Sequence, residues 1–554
     1  MRKTTNWVSE NTGFYLVFSI IVGFGTYLRL DQFFLQVLLD DEWHAVHQLI
    51  NKSTAEIFLS FGHADFSIPL TLFYWLELKS IGLSELGMRW PLMLAGVISL
   101  LVFPLFIRKY FNDRIVLVFT FLLSVSPLLI IYSRTARPYA LTLLLTMIAL
   151  AAFYRFAASG KFAWKPALVY MLSSILCTWM HLISLPFVVA PFVALGLPAL
   201  LSKDWHKIRY FLYLGLMTLT GMLALVLPPM LAHPQALEAK LGLNTPGLET
   251  IYGAGFAWFG VSEPIFLGFL LLLAIAGFSR LRRSLPLVDS LLVAIVITLV
   301  VIQLSQPDWV QYAQTFARYL LPVVPLLLLA AAIGFSRLIG LIGRLPGYLG
   351  KLLVTLVLFS GSMASIMLSP LPGLLAVPNS NSLHIVYQLD FRDVDNEVDI
   401  YQQKNFPLSP FWQLLAGMPV DSLKIAASPF YFESYNWDAP RWEHISHQRI
   451  MPGFLNGFCS EMRWGEVPAG RGFNFNNAAF TGNMEDLLGK EFDLVVYQKP
   501  HSFTTAQGTV ELGKETSNCG KILADSLPAP VYEDDLLVAY PLTKKARRLI
   551  NAER

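Results

Sequence analysis

The chain has 554 residues, of which 55% are hydrophobic and only 14% charged, and its mean hydropathy is +0.53. A chain this long and this apolar is not an ordinary soluble protein, and a net charge of +3, evenly spread, does not suit a nucleic-acid partner. Composition therefore predicts a membrane protein, in which the placement of Lys and Arg sets the orientation.

Arg2 and Lys3 precede an apolar run from Phe14 to Leu30. No small-x-small cleavage site follows it, and Arg29 and an acidic cluster come next. The run reads as an uncleaved first span with the amino end cytoplasmic.

Asp40, Asp41 and Glu42 follow this span directly. Three adjacent carboxylates cannot sit in hydrocarbon, so they are expected at the membrane mouth, where an ionised Asp is placed to take a proton from an incoming hydroxyl. The plainer reading is an acidic helix cap, with Asp40 or Asp41 as N-cap and Glu42 in the first turn. Residues 31–88 form a large first outer loop. Within it, Ser67 to Leu78 is apolar but short and ends in Glu77 and Lys79, which suits a helix lying in the interface.

From Arg89 apolar runs recur near 90–107, 115–132, 140–157, 164–181, 183–201, 210–231, 264–279, 287–304, 319–335 and 351–368. Each approaches the length that crosses a bilayer, which with the first run predicts about 11 spans. Basic residues such as Arg108, Arg155, Lys203, Arg282 and Arg344 fall in alternate loops, on the side shared with Arg2. Those loops are therefore assigned to the cytoplasm, and an odd span count puts the carboxyl-terminal part on the face of the Asp40–Glu42 cluster.

Outward loops hold few cations, which singles out Arg134 and Arg137 in the stretch from Tyr132 to Tyr139, and Arg318 before Tyr319. Planar guanidiniums suit a phosphate because their forks donate two hydrogen bonds to one anion. The plainer alternative is interfacial anchoring by Arg, with Tyr132 and Tyr139 in an aromatic belt. His181 sits at another outward turn, where a lone His is more often a packing residue. The outer stretch from Tyr252 to Phe259 reads as an interfacial flap or an amphipathic connector.

After Ser369 a Pro- and Asn-containing linker leads into soluble composition. Strand-like pieces at Ser422–Ala427, Phe492–Tyr497 and Leu536–Ala539, with a helical piece at Asn483–Gly489, predict an α/β domain over 370–554, behind a membrane module over 1–369. Cys177 falls in an apolar run and reads as packing, whereas Cys459 and Cys519 lie in the polar part, where pairing and chance are both open. There is no phosphate-binding Gly loop, no dinucleotide-binding turn and no zinc spacing.

Taken together, Asp41-Glu42, the string from Gly62 to Leu70 containing His63, Leu86 to Pro91, Ser126-Pro127, Ser133 to Tyr139 and Ala317 to Pro322 give the chain a family likeness. It resembles the integral-membrane GT-C glycosyltransferases that use polyprenyl-phosphate sugars, the group of protein O-mannosyltransferases and lipid A aminoarabinose transferases. At His63-Ala64-Asp65-Phe66 it departs from the family's usual His-Pro-Pro-Leu wording.

The resemblance implies a polytopic α-helical membrane protein with an extracytoplasmic α/β domain in the inner membrane. It implies transfer, with inversion, of a sugar from a polyprenyl-phosphate donor to an acceptor glycan, lipid or protein, with no cofactor required and no metal indicated. By the family pattern Asp41 is the base and Glu42 supports it, with Arg134, Arg137, Tyr139, Arg318, His63 and His181 around the donor phosphate and substrate. A transporter or flippase of lipid-linked saccharides would show polar residues deep in several spans and a pseudo-repeat. A non-catalytic, membrane-anchored assembly protein would leave an acid and arginines on separate loops without a purpose.

Overall fold

The computed structural model describes residues 2–31, 33–34, 38, 40–61, 67–238, 241–307, 309–376, 390–392, 407–428, 439–455, 479–481, 484–489, 491–505, 508–512 and 518–554. The membrane part begins with α1 (Arg2–Leu30), a 3-10 turn at Asp40–Glu42, and the short helices α2 (Trp43–Asn51), α3 (Thr54–Phe58) and α4 (Ile68–Ser80). It continues through α5 (Glu85–Ile107), α6 (Asp113–Val125), α7 (Pro127–Arg134), α8 (Tyr139–Ala157), α9 (Trp164–Met180), α10 (Leu185–Leu201) and α11 (Trp205–Ala232). After α12 (Pro234–Glu238) come α13 (Leu248–Phe259), α14 (Pro264–Ser284), α15 (Leu287–Ser305), α16 (Ala313–Tyr319), α17 (Val324–Ile342), α18 (Gly347–Met367) and α19 (Leu371–Ala376).

Among the described residues, nine helical stretches are long and apolar enough to cross a membrane, and the bent pair α6 and α7 makes ten. The sequence predicts about 11. The difference is the run at 164–181, which forms α9, a helix of only 17 residues.

The run at 115–132 is not one straight span. It bends by 55° between Val125 and Pro127, because proline has no N–H to continue the ladder and disfavours helical geometry at Ser126. The bend leaves carbonyls of the last turn of α6 without helical partners, and the Arg29 guanidinium takes them. Arg29 Nη2 donates to Leu123 O at 3.2 Å, and Nη1 to Ser124 O at 3.1 Å and to Gly25 O at 2.8 Å. A fully buried arginine is thus held by backbone rather than by a carboxylate, through its two terminal nitrogens, while its Nε has no hydrogen-bond partner among the described residues.

Close approach of two helix pairs depends on three glycines. A Cβ at Gly277 would lie 1.9 Å from Ala330 O, and one at Gly334 would lie 2.0 Å from Leu273 O, so α14 and α17 meet backbone to backbone. A Cβ at Gly96 would lie 2.4 Å from Ser133 Cβ, which seats α7 directly on α5 and fixes where its terminal Arg134 points from.

In the carboxyl-terminal part, β1 (Lys424–Ser428), β2 (Arg449–Leu455), β3 (Ala479–Thr481), β4 (Leu494–Gln498), β7 (Tyr532–Glu533) and β8 (Leu537–Pro541) form a sheet ordered β3-β2-β1-β4-β8-β7. Its first four strands are parallel, while β8 runs antiparallel to both β4 and β7. A separate hairpin joins β5 (His501–Thr505) and β6 (Gly508–Leu512). The helices are α20 (Pro410–Leu415), α21 (Ala439–Ser446), α22 (Met484–Gly489), α23 (Cys519–Ser526) and α24 (Lys544–Glu553). β1, β4 and β8 are buried along nearly their whole length, as expected for strands covered on both faces. On one face Trp412 stacks on Trp442, ring centroids 4.6 Å apart. Cys177 is free and buried, whereas Cys519 is disulfide-bonded; Cys459 lies outside the described residues.

Candidate active site

The acidic cluster and the two arginine-bearing loops converge on one end of the helix bundle. The turn after α1 presents Asp41, the loop between α7 and α8 presents Arg137, and the last turn of α16 presents Arg318. Arg318 Nη1 donates to Asp41 Oδ2 at 3.2 Å, and Arg137 Nε lies 3.8 Å from the same oxygen. Arg137 Nη1 also donates to the Asp41 carbonyl at 3.3 Å, clamping the turn's backbone as well as facing its side chain. His44 Nε2 lies 3.7 Å from Oδ1, one helical turn along.

Exposure separates the parts of this cluster. The Asp41 side chain is 28% exposed, whereas the Arg137 and Arg318 side chains are 7% and 14% exposed. The carboxylate therefore faces an open side, and the guanidiniums back it from within the protein.

Aromatic rings shape the rear wall. The Arg318 guanidinium carbon lies 5.5 Å from the Tyr139 ring centroid and 5.8 Å from that of Tyr319, within cation–π range. Tyr139 packs against Tyr132 at 4.8 Å and against the His181 ring at 5.4 Å. His181 ends α9, and its Nδ1 accepts from the Ile183 backbone N–H at 3.3 Å. It reaches the cluster through Tyr139.

Glu42 is adjacent in sequence but faces another way. It is fully buried: Oε1 accepts from Arg89 Nε at 2.8 Å and from the Ala136 backbone N–H at 2.6 Å, and Oε2 accepts from Arg89 Nη2 at 2.5 Å. Three charge-assisted hydrogen bonds in a dry setting tie the acidic turn to α5 and to the loop that carries Arg137. The capping expectation needs correction, because the residue at the N-cap of α2 is Glu42, and its side chain makes no cap hydrogen bond. That carboxylate is already engaged by Arg89. The Asp40 side chain is outside the described residues, as is His63 with its neighbours from Gly62 to Phe66.

Of the other residues expected from the sequence, Arg134 is buried at the end of α7 in the field of Arg89 and Asp31. Arg89 is the residue that the sequence reasoning assigned no role. Its signal was an arginine one turn into an apolar helix, a position that demands a partner. His44 carried a weaker signal, its spacing of three from Asp41.

No family model and no curated protein matches the chain. Among solved structures, it is similar to ArnT from Cupriavidus metallidurans in the apo state, at 13% identity and a TM-score of 0.45 over 98% of this chain and 99% of that one. ArnT from the same organism bound to undecaprenyl phosphate gives 13% identity and a TM-score of 0.46, over 97% and 99% of the two chains. The Archaeoglobus fulgidus oligosaccharyltransferase in its apo form gives 12% identity and a TM-score of 0.41, over 94% of this chain and 80% of that one.

Proposed function

We propose that the chain is an inverting membrane glycosyltransferase that moves a sugar from a polyprenyl-phosphate donor to an acceptor hydroxyl, on the extracytoplasmic face of a bacterial inner membrane. The observation that carries the reading is the Asp41 carboxylate, part-exposed, with Arg318 at 3.2 Å and Arg137 at 3.8 Å from one oxygen. The motif resemblance from Asp41-Glu42 to Arg318-Tyr319 supports it.

In the proposed reaction the acceptor oxygen attacks the anomeric carbon as the bond from that carbon to the phosphate oxygen breaks, and Asp41 takes the acceptor proton. Charge grows on the departing lipid monophosphate, and guanidiniums already oriented in a partly dry pocket can neutralise it without a resident metal. Before the donor arrives, the same arginines face the Asp41 carboxylate. When the donor phosphate draws them off, the Asp41 carboxylate is freed to face the acceptor hydroxyl, so donor binding prepares the site for the acceptor. Glu42, held by Arg89, keeps the acidic turn and the Arg137 loop in register.

The test is incubation of the purified full chain with labelled polyprenyl-phosphate sugars, undecaprenyl phosphate carriers included, and with glycan, lipid and peptide acceptors. Transfer that depends on Asp41 is the expected result. Transfer unaffected by Asp41→Asn, or no consumption of any lipid-phosphate donor, overturns the reading.

A further inference from the structure

α8 carries Tyr139 at its start and Arg155 in its last turn. The 16 intervening steps, at about 1.5 Å each, put Arg155 about 24 Å along the helix from the Asp41 cluster. At that far end a cavity of about 380 Å³ opens between α5, α8, α9, α15 and α17. Its volume falls within the usual range of ligand pockets. The wall is apolar, with Val102, Phe106, Ile148, Val169 and Leu326 among its residues, and the rim carries Arg155 and Lys165. Val102 on α5, one of the membrane-crossing helices, is itself 41% exposed, and Val169 beside it on the apolar helix α9 is 44% exposed, so the cavity opens sideways, where hydrocarbon would lie.

Charge at this end is not balanced within the protein. Among the described side chains its acids are Asp113, Asp204 and Asp289. They are taken by Arg108 at 2.9 Å, Lys207 at 3.4 Å and Arg282 at 2.7 Å. Arg155 and Lys165 are exposed, and neither has a carboxylate partner among the described residues. Two cations at the mouth of an apolar cleft complement a ligand with an anionic head and a hydrocarbon body.

We propose that this cleft is a binding site for an anionic phospholipid, separate from the Asp41 cluster. The phosphate sits between Arg155, whose fork can hold two of its oxygens, and Lys165, which supplies a point charge. An acyl chain lies along Val102, Ile148 and Val169. The apolar wall distinguishes a lipid from free phosphate, which would use the rim alone.

The experiment uses the full chain purified in detergent, incubated with equimolar phosphatidylglycerol and phosphatidylcholine and analysed by native mass spectrometry. The wild-type chain should retain phosphatidylglycerol over phosphatidylcholine by on the order of tenfold, as two juxtamembrane cations acting on one headgroup predict. The double variant R155Q/K165Q should bring the two lipids to parity. A control double variant, K203Q/R209Q, changes exposed cations at the same end that do not line the cleft and should leave the preference intact. Ala151→Phe keeps both rim cations but fills the cleft, and it should also remove retention. Equal retention by R155Q/K165Q and wild type, undiminished retention by A151F, or displacement of the lipid by millimolar inorganic phosphate would each overturn the proposal.

Discussion

Arg89 grips Glu42 with both arms of its fork, at 2.8 Å and 2.5 Å, and the two side chains are 1% and 0% exposed. The pair joins α5 to the turn that presents Asp41 across 47 residues of sequence. Removing one member leaves the other charge buried without compensation, a loss of about 3–5 kcal/mol in comparable settings. Arg89→Ala and Glu42→Gln are therefore expected to lower the thermal midpoint of the purified chain and to reduce donor turnover together. A variant with unchanged stability and lost turnover would instead give Glu42 a direct part in the chemistry.

Asp41 is expected to behave in the opposite way. Asp41→Asn keeps size and most hydrogen bonding but cannot accept the proton, so turnover should fall by about 10²–10⁴-fold with stability little changed. Donor affinity should hold or rise, because Arg137 and Arg318 then face a neutral amide. Turnover is read from transfer of labelled sugar, and affinity from retention of the labelled donor. Near-normal turnover in a folded Asp41→Asn variant would remove the base from this position.

Arginine geometry at the cluster can be separated from charge. Lysine preserves the charge and loses the fork, so Arg137→Lys and Arg318→Lys should each slow donor turnover clearly more than Arg547→Lys on the carboxyl-terminal helix α24. Equal, negligible effects at all three positions would reduce the first two to lipid anchors.

In the carboxyl-terminal domain, burial pushes the Glu443 carboxyl up to about 8. It is opposed by the hydrogen bond accepted from Ile450 N–H at 2.8 Å and by nearby Arg449, while Asp421 adds to the upward shift. A carboxyl raised in the folded state holds its proton while the unfolded chain ionises. Its contribution is present in full below the ordinary Glu range and is lost as pH rises toward about 8. Glu443→Gln, which keeps an acceptor for Ile450, should flatten that loss and raise the domain's thermal midpoint at pH 8 more than at pH 5. A parallel shift at both values would show that Glu443 is already ionised.

The proposed sidedness has a direct check. With Cys177 replaced by Ala and the Cys519 disulfide left intact, Cys introduced at Ser284 and at Ser526 should react with an impermeant reagent from opposite faces of sealed vesicles. Reaction of both from one face would overturn the topology and move the Asp41 cluster away from any extracytoplasmic donor.

Much of the layout was legible because hydropathy and the spacing of Lys and Arg follow from the cost of burying polar groups in hydrocarbon. The convergence of the acidic cluster with Arg137 and Arg318 on one face was anticipated from loop sidedness, and the choice of Asp41 within the cluster from the family resemblance. The 55° bend was not, although Ser126-Pro127 stood in the middle of a run read as one crossing. Averaged hydropathy passes over a single proline. Arg89 and Arg29 were harder still, since each finds its partners through packing of helices distant in sequence, which no local window contains. β1, β4 and β8 were found by their apolar runs, whereas β2, β3, β5, β6 and β7 were not, and the parallel order β3-β2-β1-β4 depends on crossovers that composition does not specify.

Arg29 has a consequence for how the chain enters a membrane. Its guanidinium bonds to carbonyls 94 and 95 residues further along, so while the first helix is being inserted those acceptors have not yet been synthesised. During that interval Arg29 must stay at the headgroup level, where water and lipid phosphate can satisfy it, and the first helix cannot take its final depth. Only when the segment through Leu123 and Ser124 emerges and bends can the arginine leave the interface. The first span to be made is then among the later ones to settle. Stalled nascent chains ending before Leu123 should leave a cysteine at Asp31 open to aqueous labelling, and longer chains should progressively close it off.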